Sequence, residues 1–270
     1  MMKITQSLAQ QKGMTLITIL IILLLVTGIG ALAVKYSVMN LRIASNSQVR
    51  QLMTQSADLP LYIIRNKSPI ELRRLDNVVG LVINNNLPDR EYVFCYRPQS
   101  QKNFAPINNV AEISPYSTTG TAITSDVMRL ISGTNNTFCD LNADFGSARA
   151  GVVTQVAVSL ITDSAGDTEK GEYLPEGTDS SGAAHLGAKL TGSQRIRVTT
   201  TAMLPAYSTA SISTVQSECL STSKPRLNDN TEHPTLRTLK DCISDYGIPV
   251  VAQTQEFTLA NTLIEEAKPD

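Results

Sequence analysis

A chain of 270 residues is long enough for one large domain or two small ones, with room for a buried core. Its formal charge is −1, from 23 Lys plus Arg against 24 Asp plus Glu, so no net field draws in a polyanion and nucleic acid is not expected as a direct partner. There is no Trp, aromatic residues make up only 5% of the chain, and Ser, Thr and Asn are plentiful after residue 100, which suits an extracellular β-rich surface better than an aromatic-lined substrate pocket.

From Met14 to Val34 the chain runs 21 residues without a charge, which at about 1.5 Å per residue matches the hydrocarbon core of a bilayer. Lys3 and Lys12 precede this run and a largely polar chain follows it, so the N-terminus is expected in the cytoplasm and the body outside. Beyond the run, Val34, Val38, Leu41, Ser45, Val49, Leu52, Ser56 and Leu59 recur at helical spacing, with Arg42, Gln48, Arg50 and Gln51 among the residues between them. The pattern predicts a single helix over residues 14–58, roughly 65 Å long, half in lipid and half amphipathic. It should end there because Pro60 disfavours helical geometry in the residue before it. Ala31-Leu32-Ala33 has the small-x-small form of a signal-peptidase site, but the apolar run is longer than an ordinary signal-peptide core and the helical pattern does not stop at the cut.

After the helix, Ser68 before Pro69, with Glu71 three residues on, is a capping signal for a short helix. In "REYVFCYRP", Tyr92, Phe94 and Tyr96 alternate with Val93 and Cys95, a strand whose aromatic face is expected to form core against the long helix. Residues 103–124 read as loop. Residues 152–162 and 194–204 are rich in β-branched side chains and are expected to pair as antiparallel strands. Between them, residues 163–193 read as a long polar loop in which Asp163, Asp167, Glu169 and Glu172 are solvated. A polar helix is expected over residues 259–267. The body after residue 58 is thus expected to be α+β, with an antiparallel sheet.

Four cysteines, Cys95, Cys139, Cys219 and Cys242, include no C-x-x-C pair, and only His185 and His233 offer imidazole, so a zinc site is not expected. Disulfides are the better reading and need an oxidising compartment. Of three connectivities, closing the shorter loops gives Cys95–Cys139 and Cys219–Cys242, the second acting as a staple for a sparse core. "DLNADFG" spaces Asp140, Asn142 and Asp144 like a calcium loop, yet Gly146 falls one place late for an EF-hand and Gly151 stands where the bidentate Glu belongs. An ordinary turn is the simpler reading. His185 falls within the long loop, His233 precedes Pro234, and no Gly-x-Ser-x-Gly elbow is present, so neither catalysis nor a cofactor is expected.

Gln11-Lys12-Gly13 followed by Met14-Thr15-Leu16-Ile17 resembles the leader of type IV prepilins, a short basic leader ending in Gly ahead of a hydrophobic helix. The resemblance implies that a membrane-embedded prepilin peptidase cuts between Gly13 and Met14 and methylates the new amine, removing residues 1–13 and keeping the helix. Most pilins carry Glu at the fifth mature residue, which neutralises the terminal amine of a neighbouring subunit; here that place is Thr18. The first subunit of a filament has no amine above it to neutralise, so loss of the acid is least harmful at the tip. PilX-type minor pilins and the K-type pseudopilin of type II secretion share this departure. The Leu/Ile/Val run followed by Ile43-Ala44-Ser45-Asn46-Ser47-Gln48 looks most like the PilX-type group, a resemblance that covers about residues 10 to 60. It implies a pilin fold, a long N-terminal helix on an antiparallel sheet with disulfides. The protein would lie in the bacterial inner membrane and then at the pilus tip, with other minor pilins, the major pilin, the assembly machinery and a tip adhesin as partners. The implied role is priming pilus assembly for twitching motility, adhesion or DNA uptake. The rival expectations are a K-type pseudopilin and an anchored or secreted binding protein without a pilus.

Overall fold

The computed structural model describes residues 14–87, 89–98, 104, 109–146, 151–161 and 194–259. The leader, the whole of the expected 163–193 loop and all but Leu259 of the expected C-terminal helix lie outside these residues. The chain divides into two compact units, Met1–Gln51 and Leu52–Asp270. Helix α1, Met14–Asn66, supplies all the described residues of the first and opens the second.

In the first unit the apolar side chains of α1 are exposed, Leu24 by 71% and Ile29 by 68%. By length and composition this helix can cross a membrane. Two hydroxyls in its apolar run bond within the helix, which suits a lipid environment: Thr18 Oγ1 donates to the Thr15 carbonyl at 2.9 Å, and Thr27 Oγ1 reaches the Leu23 and Leu24 carbonyls.

In the second unit α1 does not stop at Asp58. It continues through Pro60 to Asn66. A proline inside a helix costs about 3 kcal/mol. Leu61 and Ile64, only 3% and 1% exposed, each return roughly 1.5–3 kcal/mol by burial, so the turns beyond Pro60 stay helical. The buried line is Met53, Ala57, Pro60, Leu61 and Ile64, one residue out of phase with the expected Leu52, Ser56 and Leu59, of which Leu52 and Leu59 are exposed.

Ser68 caps α2 (Pro69–Leu72) by accepting from the Glu71 N–H, and Asn77 caps α3 (Val78–Asn85). Gly80 lets α3 sit against the preceding turn; a Cβ there would lie 2.1 Å from the Arg74 carbonyl oxygen. Among the described residues six strands follow: β1 (Glu91–Tyr96), β2 (Ala111–Ser114), β3 (Arg129–Ser132), β4 (Val153–Leu160), β5 (Gln194–Met203) and β6 (Val250–Leu259). They form one antiparallel sheet in the order β3-β2-β1-β4-β5-β6. The expected β4–β5 pairing is present. The expected loop over 103–124 contains β2, whose Ala111 and Ile113 are fully buried, so pairing with β1 overrides a polar composition. Leu259, expected to open a helix, ends β6.

Side-chain alternation gives the sheet two apolar faces. Tyr92, Phe94, Tyr96, Val156 and Val198 pack with Leu61, Ile64, Val78 and Val82, as expected for the aromatic face of β1. Val93, Ala157 and Met203 lie on the opposite face with Val215 of α4 (Ile212–Cys219), Leu239 and Ile243 of α5 (Leu239–Asp245), and Leu220, Leu227 and Leu236 of the loop joining these helices.

Candidate functional site

The cysteines pair as Cys95–Cys139 and Cys219–Cys242, closing separations of 44 and 23 residues. The second bond joins the end of α4 to the middle of α5 and bounds a loop whose attachment to the sheet is polar.

Glu91, Ser159, Arg197 and Glu256 are register partners in succession across β1, β4, β5 and β6, so alternation puts all four on the face that carries this loop. Glu91 is 5% exposed. Its carboxylate accepts the Asn228 N–H at 2.8 Å, the Asn228 side-chain amide at 3.0 Å and the Asp229 N–H at 2.9 Å. The buried Gln155 donates to Asn228 Oδ1 at 2.9 Å. Arg197 spans three carboxylates: Nη1 donates to Glu232 at 3.1 Å and lies 3.3 Å from Asp229, while Nε and Nη2 donate to Glu256 at 3.2 and 3.1 Å. An acid, an amide and a base, one from each of three adjacent strands, thus clamp the loop through Asn228, Asp229 and Glu232.

Burial pushes the Glu91 carboxyl up from 4.5 to about 7; the bonds from Asn228 and Asp229 pull the other way and the Asp229 charge adds to the rise. Burial also works against the Arg197 charge, but Glu256, Asp229 and Glu232 together outweigh it and raise the guanidinium pKa. Beside this row is a cavity of about 30 Å³ lined by Glu91, Ser159, Arg197 and His233, space for about one water molecule. His233 meets Tyr116 edge to face at 5.7 Å. Chemically the arrangement is a fastener: the Glu91 oxygens are engaged by amides, and the row holds a loop in place.

The Asp140–Asp144 turn is held from within. Asp144 receives Arg97 bidentately, at 2.6 Å from both Nε and Nη2, and accepts the Asp140 N–H, while Asp140 accepts the Asn142 N–H at 2.8 Å. The Arg97 guanidinium stands where a cation would, and the bond to Asp144 raises its own pKa. Among the described residues no group of three or more His, Cys, Asp or Glu side chains is placed to hold a metal ion.

Thr18 lies within the apolar part of α1, and Met14 is the first described residue. Gly13 and His185 are outside the described residues. The clamp residues Glu91, Gln155 and Arg197 were missed by sequence reasoning. For Glu91 and Gln155 the signal is parity, since each shares its strand face with apolar neighbours, Val93 and Cys95 or Val153 and Ala157; Arg197 shares its face with Arg195, Thr199 and Thr201 and carries no such signal. No protein-family model matches the chain, and neither the curated proteins nor the solved structures contain a significant match.

Proposed function

We propose that this chain is a minor pilin of PilX type, processed after Gly13, held in the bacterial inner membrane by α1 and assembled at the tip of a type IV pilus. The observation that carries the reading is a helix unbroken from Met14 to Asn66, with an exposed apolar first part and a last part built into an α+β body. A helix of this kind serves twice, first in lipid and then among neighbouring helices in a filament. A signal-peptidase cut at Ala31-Leu32-Ala33 would instead divide the helix and discard the apolar part.

The tip position rests on Thr18. A carboxylate at that place would neutralise the terminal amine of a neighbour; a hydroxyl bonded to its own helix supplies no charge. The body would then meet other minor pilins and a tip adhesin through its surface and support motility, adhesion or DNA uptake. Immunogold labelling of an epitope-tagged chain on sheared pili is expected to mark filament ends. Label spread along the shafts would exclude the tip position, and label confined to cell envelopes that lack pili would favour a pseudopilin or a simple anchored protein.

A further inference from the structure

A cleft of about 620 Å³ opens among Arg97, the 3₁₀ turn Asn135–Thr137, the Asp140–Asp144 turn and helix α4. Its volume is in the range of small-ligand sites. Its floor is fixed: Gln216 of α4 accepts the Leu141 N–H at 3.0 Å and donates to the carbonyls of Cys139 and Leu220, so one side chain bolts two walls together. Asn135 holds a third point by accepting the Thr222 N–H and hydroxyl. One disulfide roots Cys139 in β1, and the other ties the end of α4 to α5. A recess braced in this way keeps its shape without a ligand and loses little entropy on binding.

The lining selects the ligand class. Its charged members are Arg97, Asp140 and Asp144, and Arg97 and Asp144 neutralise each other, so nothing there attracts a polyanion. Phe138 and Leu220 are buried to 2% and 1% exposure and offer little surface to a lipid or an apolar peptide. The uncharged polar side chains that stand out from the walls include Asn136, Asn142, Ser213 and Ser217, all exposed, with the exposed Ala143 as an apolar neighbour. The side-chain amides of Asn136 and Asn142 make no hydrogen bond among the described residues. Each offers two donors and an acceptor, a match for vicinal hydroxyl groups, which donate and accept at once. The Asp140 carboxylate adds acceptors for the same hydroxyls. We infer that this cleft binds a neutral oligosaccharide, gripped at neighbouring hydroxyls by Asn136 and Asn142. The cleft belongs to the second unit alone, so the inference is independent of the pilin reading.

The test uses the full chain in a detergent without a sugar head group, on an array carrying neutral, sialylated and sulfated oligosaccharides. Selective binding to neutral structures is expected, with the signal at least tenfold lower in Asn136→Ala/Asn142→Ala and unchanged in Asn84→Ala, an exposed position on α3. Free competitor monosaccharide separates recognition of a single sugar unit, which it abolishes, from recognition of a longer chain, which it leaves; either fits the inference. Ser217→Trp, a bulky change at an exposed wall position, is expected to block binding by filling the cleft without disturbing thermal unfolding. No binding to any neutral oligosaccharide, a preference for the anionic ones, or binding undiminished in both cleft variants would overturn the inference.

Discussion

Gly13→Ala is expected to leave residues 1–13 attached and to reduce surface pili to background. Two physical steps lead there. The added Cβ stands at the residue before the scissile bond, where the resemblance to prepilins calls for glycine and close approach of the backbone to the peptidase. The uncut chain then keeps Lys3 and Lys12 ahead of the apolar helix. Drawing Lys12 into the apolar interior of a filament carries a penalty of roughly 2.5–3.5 kcal/mol on insertion scales, so under the proposed role the uncut subunit is expected to stay in the membrane and fail to prime assembly. Intact mass of the envelope protein reads the first step, and pilus counts by electron microscopy read the second. Normal piliation by this variant would remove priming from the proposed role.

Stability of the body is expected to fall as pH rises from about 4.5 to about 7, and Glu91 is the cause. The unfolded carboxyl loses its proton near 4.5, while the buried one holds it until about 7. Within that window the folded state binds more protons than the unfolded, so each step up in pH favours unfolding. The contribution is complete below the unfolded value and lost as pH passes through the folded one. The two values correspond to roughly 3 kcal/mol for a group that is only 5% exposed. Glu91→Gln is expected to flatten this window. Below about pH 7 the folded carboxyl is itself protonated and presents an O–H to this site, as the amide presents N–H, so the variant is expected to lie flat across the window near the wild-type value at its acid end. Denaturant unfolding at several pH values reads the lost slope. A variant that keeps the wild-type slope would show that another group controls the pH dependence.

Much of the sheet was legible because its central strands are built from β-branched and aromatic residues. β1, β4 and β5 each carry this composition and each is flanked by a strand on both sides. The outer strands were hidden for opposite reasons. β2 is four residues long, with a polar composition around its two buried apolar side chains. β6 is at the edge, and its exposed Thr254, Gln255 and Glu256 gave no strand signal because an edge strand has less apolar burial to advertise. The helix was legible as a helix, but its buried line was assigned one residue out of phase and its end was set too early. Small residues satisfied the spacing equally well in two registers, and burial of Leu61 and Ile64 overrode the local penalty of Pro60.

The clamp required the fold. Glu91 and Arg197 are ordinary surface-type residues until strand register puts them in one row, and Asn228 and Asp229, 137 and 138 residues from Glu91, meet it only through the folded loop. Loop-closure length did anticipate both disulfides, because each pairing joins cysteines that are neighbours in sequence order. The calcium-like spacing at Asp140, Asn142 and Asp144 was legible, but the partner that occupies Asp144, Arg97, comes from a distant part of the chain.

The N-terminal residue of the mature chain tests the central claim most directly. Intact mass and N-terminal sequencing of protein purified from the envelope are expected to find a chain that begins with N-methylated Met14 and retains all of α1. A chain that begins at Val34, or one that still carries Met1, would contradict pilin processing.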